Sequence, residues 1–192
     1  MASNVELVNQ ALMYLGDKLI NSLTESSTPA RAANTLFGPT RNAVLRSHPW
    51  NCAIARQTLP VLAAAPDFGW DYQFTLPTDP YCLRVLAIND DEDWAAPGSA
   101  HKVEGRKIVS NNPECNLRYV KRIEDPNEYD ALLSNAISAR LAAVMCYSLT
   151  NKEGMAARMW EMYERILREA RTVDGQEGSP DKQDVPVLIV GR

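Results

Sequence analysis

Histidine is scarce in this 192-residue chain, which has only His48 and His101, and cysteine occurs four times, at Cys52, Cys82, Cys115 and Cys146. The cysteines lie about thirty residues apart and form no C-x-x-C pair, so the short spacings that gather zinc ligands are missing. Free thiols buried in a reducing compartment are the simpler expectation. Catalytic signatures are missing as well: there is no G-x-S-x-G, no Walker loop, no G-x-G-x-x-G and no H-E-x-x-H. An excess of positive charge is also absent, the formal net charge being −4. A tight nucleic-acid binder releases counterions from a basic face, which this balance disfavours; a wall past which DNA merely slides needs no such face. The opening residues carry neither a basic n-region nor an apolar h-region, and no run of eighteen apolar residues occurs. No signal peptide or membrane anchor is therefore expected, and the chain should be made in the cytoplasm.

What is present is the composition of a globular protein, 45% hydrophobic and 23% charged. A chain of this length removes roughly 70% of its unfolded surface from water and needs no disulfide or metal to fold. One domain, 1–192, is expected, with helices in 1–50 and 124–172, a β insert over 51–123 and a tail over 173–192.

The stretch 125–172 organises the rest. Asp125-Pro126 with Glu128, and Thr150 with Glu153, are helix-start signatures that place helices from about 126 and about 151. Between Ala136 and Tyr147 only Ser138 and Arg140 interrupt an apolar, alanine-rich surface, so the first of these helices should be a central post. Arg140 is expected to snorkel or to pair with an acid such as Glu169. The second helix is amphipathic. Met155, Met159, Met162, Tyr163, Ile166 and Ala170 recur on one face, and Glu161/Arg165 and Glu164/Arg168 stand outside.

Upstream, Ser3 and Glu6 cap a short helix that stops at Gly16. Thr28-Pro29 opens a second helix, in which Gly38-Pro39 should produce a kink or a split, and which ends before Pro49. His48 reads as a helix-end residue bonded to the last carbonyls. Strands follow at 51–58, at 70–76 by strict alternation, at 81–88 with apolar residues on both faces and so expected at the centre of the sheet, at 101–103 and 107–110 around a Glu104-Gly105 turn, and at 117–123. The acidic run 90–93 is a loop, and Val173 begins a linker rich in Gly, Ser, Pro and charge. It leads to the apolar run Val185, Pro186, Val187, Leu188, Ile189 and Val190, which can return to its own sheet or add to a neighbour's.

Two sets of exposed residues invite a functional reading. Asp67, Asp71 and Asp79 surround Trp70 and Tyr72, a grouping that a glycan hydrolase would use, although turn-forming Asp in an alternating strand explains it equally. Trp70 and Trp94 are large side chains of a type enriched at interfaces.

The order of features now matters. A capped helix is followed by a second ending in His48-Pro49-Trp50; then come Ala53, Ala55, Arg56 and Leu59, Leu76-Pro77 and Asp79-Pro80 ahead of Leu83-Arg84-Val85. Tyr119 and Tyr129 precede the Ala-rich helix and the charged last helix. Over nearly its whole length this series resembles the tail tubular protein A family, the head-to-tail adaptors of short-tailed bacteriophages. The resemblance implies an α+β fold, an antiparallel helical bundle with an inserted small antiparallel β-sheet region and an extended C-terminal tail. It also implies a ring of twelve copies on the portal that extends the DNA channel, receives the tail nozzle and has tail fibres nearby. The chain would then sit in the virion tail after synthesis in the host cytoplasm, with no catalysis and no cofactor, and DNA would pass without sequence-specific binding. Val187, Leu188, Ile189, Val190 and Arg192 would form a subunit or portal contact, and Trp94 and Trp70 would face the nozzle or fibres. The rival readings are a tail-associated glycan hydrolase and a non-phage cytoplasmic protein–protein adaptor.

Overall fold

The computed structural model describes residues 3–89 and 100–177. The fold is α+β, with four α-helices and two three-stranded antiparallel sheets among the described residues. Helix α1 (Asn4–Leu15) starts as its capping box requires: the Ser3 amide donates to the Glu6 carboxylate at 2.8 Å and the Glu6 amide to the Ser3 hydroxyl at 3.1 Å. Helix α2 (Thr28–Ser47) is capped by Ser27 and is not split at Pro39, where a kink or split was expected. Proline at that position removes the bond to the Thr35 carbonyl; Thr35 and Pro39 both lie on the exposed side, so water can serve the freed oxygen while Phe37, Thr40 and Arg41 stay buried.

Helix α3 (Ala131–Thr150) is the post foreseen, apolar all round and packed against α1, α2 and α4. Ala136, Ala139 and Ala142 are fully buried, which lets its neighbours approach closely. By length and hydropathy α3 passes the test for a membrane-crossing helix, and its burial among three other helices is what a core helix of the same composition shows. Its start differs from the expectation near 126. Asp125 and Pro126 make only one 3-10 turn, Pro126–Glu128, and Tyr129 then leaves in an extended conformation with its hydroxyl donating to the Ile123 carbonyl at 3.1 Å. Asp130 is the true cap, its carboxylate accepting from the Leu132 and Leu133 amides at 2.8 and 3.3 Å.

Helix α4 (Glu153–Gln176) also departs from the expected capping box. The Thr150 hydroxyl turns back to the Cys146 carbonyl at 2.7 Å, Asn151 ends α3 in the left-handed region, and Lys152 supplies no side-chain cap. The apolar face of α4 behaves as read, with Tyr163 and Ala170 buried and Met155, Met159, Met162 and Ile166 partly so; Leu167 joins the buried set. The helix continues past Val173, where a linker was expected.

The first sheet has the order β1 (Ile54–Leu59), β6 (Cys115–Lys121), β3 (Cys82–Ile88), and the second β2 (Tyr72–Thr75), β5 (Lys107–Ser110), β4 (His101–Glu104). Residues 51–53, read as part of the first strand, form a 3-10 turn instead. Among the described strands β3 lies at the edge of its sheet rather than at its centre. It is apolar on both faces because it lies between two cores: Leu83 and Leu86 pack against the helices, whereas Cys82 and Ile88 join Leu59, Phe74, Ile108, Leu117 and Tyr119 between the sheets. The hairpin at Glu104-Gly105 forms as read, with Gly105 at φ 60°, a left-handed conformation in which a side chain is strained. Arg106 fixes that turn to the other sheet, donating to the Pro77 and Cys82 carbonyls at 2.7 and 2.9 Å while its guanidinium covers the Tyr81 ring at 4.1 Å.

Candidate interaction surface

The outward face of the second sheet carries Gln73, Lys102, Glu104, Lys107 and Val109, which register places on one side, since Gln73 pairs with Val109 and Lys102 with Val109. The segment 61–70 folds back over this face. Val61 bridges to Phe74, the Leu62 amide donates to the Gln73 carbonyl at 2.9 Å, and the Gln73 side chain donates to the Ala64 carbonyl at 2.6 Å. Gln73 is buried despite its polarity because Lys107 Nζ also donates to its Oε1 at 3.0 Å, which satisfies both ends of the amide. Gly69, at φ 83°, allows the chain to turn sharply before entering β2.

Between this segment and the sheet lies an open groove of about 760 Å³, with Val109 in its floor, Trp70 and Phe68 along one side and Asp67, Lys102, Glu104 and Lys107 around it. Trp70 is half-buried, and Phe68 is 88% exposed, the most exposed large apolar side chain described. A bare aromatic beside a groove is a feature of interfaces, where such side chains act as anchors.

The sequence-nominated residues divide as follows. Trp70 lines the groove, and Asp67 does too. Asp71 and Asp79 are exposed and absent from its lining; the Asp71 amide donates to Asn111 at 3.1 Å, and Asp79 sits in the turn before β3. Of the three aspartates, only Asp67 lines this groove. Trp94, Val187, Leu188, Ile189, Val190 and Arg192 lie outside the described residues.

Two side-chain clusters escaped sequence reading. His48 does not bond its own helix's carbonyls: its Nε2 lies 2.9 Å from Asp174 Oδ2, and its ring meets the edge of buried Trp50. The Asn51 amide donates to Asp174 Oδ1 at 3.0 Å, the Asn51 side chain donates to the Asp174 carbonyl at 2.7 Å, and Arg171 donates to the Ser47 carbonyl at 3.1 Å. This clasp binds the end of α4 to the end of α2 and accounts for the extra turn beyond Val173. In the second cluster Arg140, expected to snorkel or to pair with an acid such as Glu169, meets no acid among the described residues; it donates to the Tyr163 hydroxyl at 3.0 Å, with its guanidinium beside the Tyr163 and Trp160 rings.

All four cysteines are free thiols, three of them buried and Cys52 half-buried. Burial pushes the Cys115 thiol up to about 11 and raises Cys52 and Cys82, in each case by desolvating the thiolate. Among the described residues no group of three or more His, Cys, Asp or Glu is placed to hold a metal ion. Burial likewise raises the Tyr129 hydroxyl to about 12, outweighing the opposing Arg41 charge. Compared with known proteins, the sequence matches no protein-family model and no curated protein.

Proposed function

We propose that the chain is a structural virion protein, a head-to-tail adaptor that assembles as a ring of twelve copies on the portal, extends the DNA channel and receives the tail nozzle. The observation that carries this reading is the order of its segments: two N-terminal helices, the motifs around Trp50 and Leu76-Pro77, and an Ala-rich helix followed by a long charged one, a series that resembles the tail tubular protein A family. The α+β fold, with all six described strands inserted between α2 and α3, is consistent with that resemblance. Its finer features, an antiparallel bundle and an extended tail, belong to the same proposal.

The function is positional rather than catalytic. A closed ring built from one kind of subunit needs two different patches on each copy, and repetition around the ring turns a weak contact into a strong one. The run 187–190 with Arg192 is the proposed subunit or portal contact. The groove with Trp70, together with Trp94, is the proposed nozzle or fibre side. Electron microscopy of the protein mixed with the portal ring of the same virion tests this: a second ring of twelve stacked on the portal is expected, and portals that stay bare at high protein concentration would refute it.

A further inference from the structure

Among the described residues of the helices and the loops that join them, large apolar side chains stand out to water at two places, apart from Val173 near the end of α4. The first lies on α3 and α4. Arg140, Val144 and Tyr147 follow one another at i, i+4 and i+7, which sets them in one stripe along α3, and Tyr147 is more than half exposed. Trp160 of α4 is exposed at the Arg140 end of that stripe, its ring centre 5.9 Å from the guanidinium carbon. Tyr163 takes one N–H of the guanidinium, and no acid among the described residues meets the others. Trp, Tyr and Arg are the side chains that dominate interface energetics, and a guanidinium already held against rings loses little freedom on meeting a partner.

The second place is the end of α1. Met13 and Leu19 are each more than half exposed, and Asp17 lies between them. The Asp17 carboxylate accepts the adjacent Lys18 amide at 2.7 Å and meets no Lys or Arg side chain among the described residues. This patch is on another flank of the bundle. Helix α1 bonds α3 at Asn135, whose side chain accepts from Gln10 at 3.1 Å and from Tyr14 at 2.7 Å, and five residues along a helix put Asn135 about 140° around α3 from Arg140. One flank thus surrounds a cation that lacks a counter-ion with exposed aromatic rings, and the other surrounds an anion that lacks one with exposed aliphatic side chains. We infer that the Arg140–Tyr147–Trp160 face of one copy docks on the Met13–Asp17–Leu19 face of the next, Arg140 donating to the Asp17 carboxylate while the apolar side chains around the pair exclude water. The inference rests on the ring reading, whose closed heterologous contact needs two different patches on each copy. It adds a contact between helical layers to the one proposed for 187–190.

Charge exchange in the full-length protein tests it. Arg140→Glu and Asp17→Arg should each raise the protein concentration that half-fills the portal ring by about tenfold or more, since like charges then meet in the contact. A chain carrying both substitutions should return to within about threefold of the parent, because each neighbour again offers the opposite sign. Assembly on the portal that neither single reversal weakens, or that the pair does not restore, would overturn the contact and leave the adaptor reading intact. Melting curves show whether each variant folds. If one does not, protein carrying Met13→Cys or Leu19→Cys is mixed with Tyr147→Cys protein, assembled on the portal and exposed to a mild oxidant. An adduct of twice the chain mass, absent from either partner alone, would then support the contact, and rings without an adduct in either mixture would overturn it. Portals left bare by the unsubstituted protein would remove the adaptor reading and this contact together.

Discussion

Replacing Asp174 by Ala should loosen the molecule at the point where α4 meets the end of α2. The substitution removes two contacts of the carboxylate, the 2.9 Å contact with His48 and the 3.0 Å bond from the Asn51 amide, and spares the backbone bond at 2.7 Å. Hydrogen bonds to a charged group contribute about 1.5–3 kcal/mol each when buried. Asp174 is 7% exposed, but the His48 side chain is 20% exposed and Asn51 is exposed, so water replaces part of what is lost. A net loss of about 2–3 kcal/mol remains, or a fall in Tm of about 5–10 °C for a chain of this size. If the end of α4 frays before the whole fold melts, the cost appears locally. Amide exchange of residues 170–176 should therefore be followed beside the melting curve. Asp174→Asn keeps an acceptor for the Asn51 amide and should lose about 1 kcal/mol. A D174A protein that melts within about 1 °C of the parent, with unchanged exchange at the end of α4, would refute the clasp.

Other outcomes follow from the packing and the tail. Ala139→Leu, at a fully buried site on α3, should cost about 1–3 kcal/mol or more by forcing α3 from its neighbours, read as a lower denaturation midpoint. Arg140→Ala should expose Trp160 further and red-shift its fluorescence, with a stability loss of about 1 kcal/mol from the Tyr163 bond and the ring contacts. Native protein at neutral pH should react slowly with a thiol reagent at Cys115, and four thiols should react after denaturation. The unfolded Cys115 thiol loses its proton near 9 and the folded one only near 11, so this group's contribution falls as pH rises through that window, and Cys115→Ala should blunt the alkaline loss. Deleting residues 184–192 should leave a monomer with an unchanged melting curve that no longer joins a ring; a truncated chain that fails to fold would place the segment in its own sheet.

Local signals in the sequence were sufficient wherever local physics decides. The Ser3–Glu6 capping box, the all-round apolar α3 and the Glu104-Gly105 hairpin are each set by residues within a few positions of one another, and each forms as read. The misreadings have long-range causes. Asp125 and Asp130 are both competent caps; Asp125 caps only the 3-10 turn Pro126–Glu128, and the extended Tyr129, bonded back to the Ile123 carbonyl, leaves Asp130 to start α3. Strand β3 carries the two-faced apolar pattern of a central strand because it separates two cores, a fact of tertiary packing. The His48–Asp174 contact joins residues 126 positions apart, and nothing in either neighbourhood announces it. At the candidate surface, Trp70 was legible as a large aromatic beside turn residues, whereas Phe68, Lys102 and Glu104 gain meaning only when the segment 61–70 folds over the sheet.

The adaptor account is tested most directly by the mass of the purified protein, measured by light scattering alone and after mixing with the portal ring. The account predicts a complex heavier than the portal by twelve copies of the 21.4 kDa chain. A protein that stays at 21.4 kDa and leaves the portal's mass unchanged would contradict it.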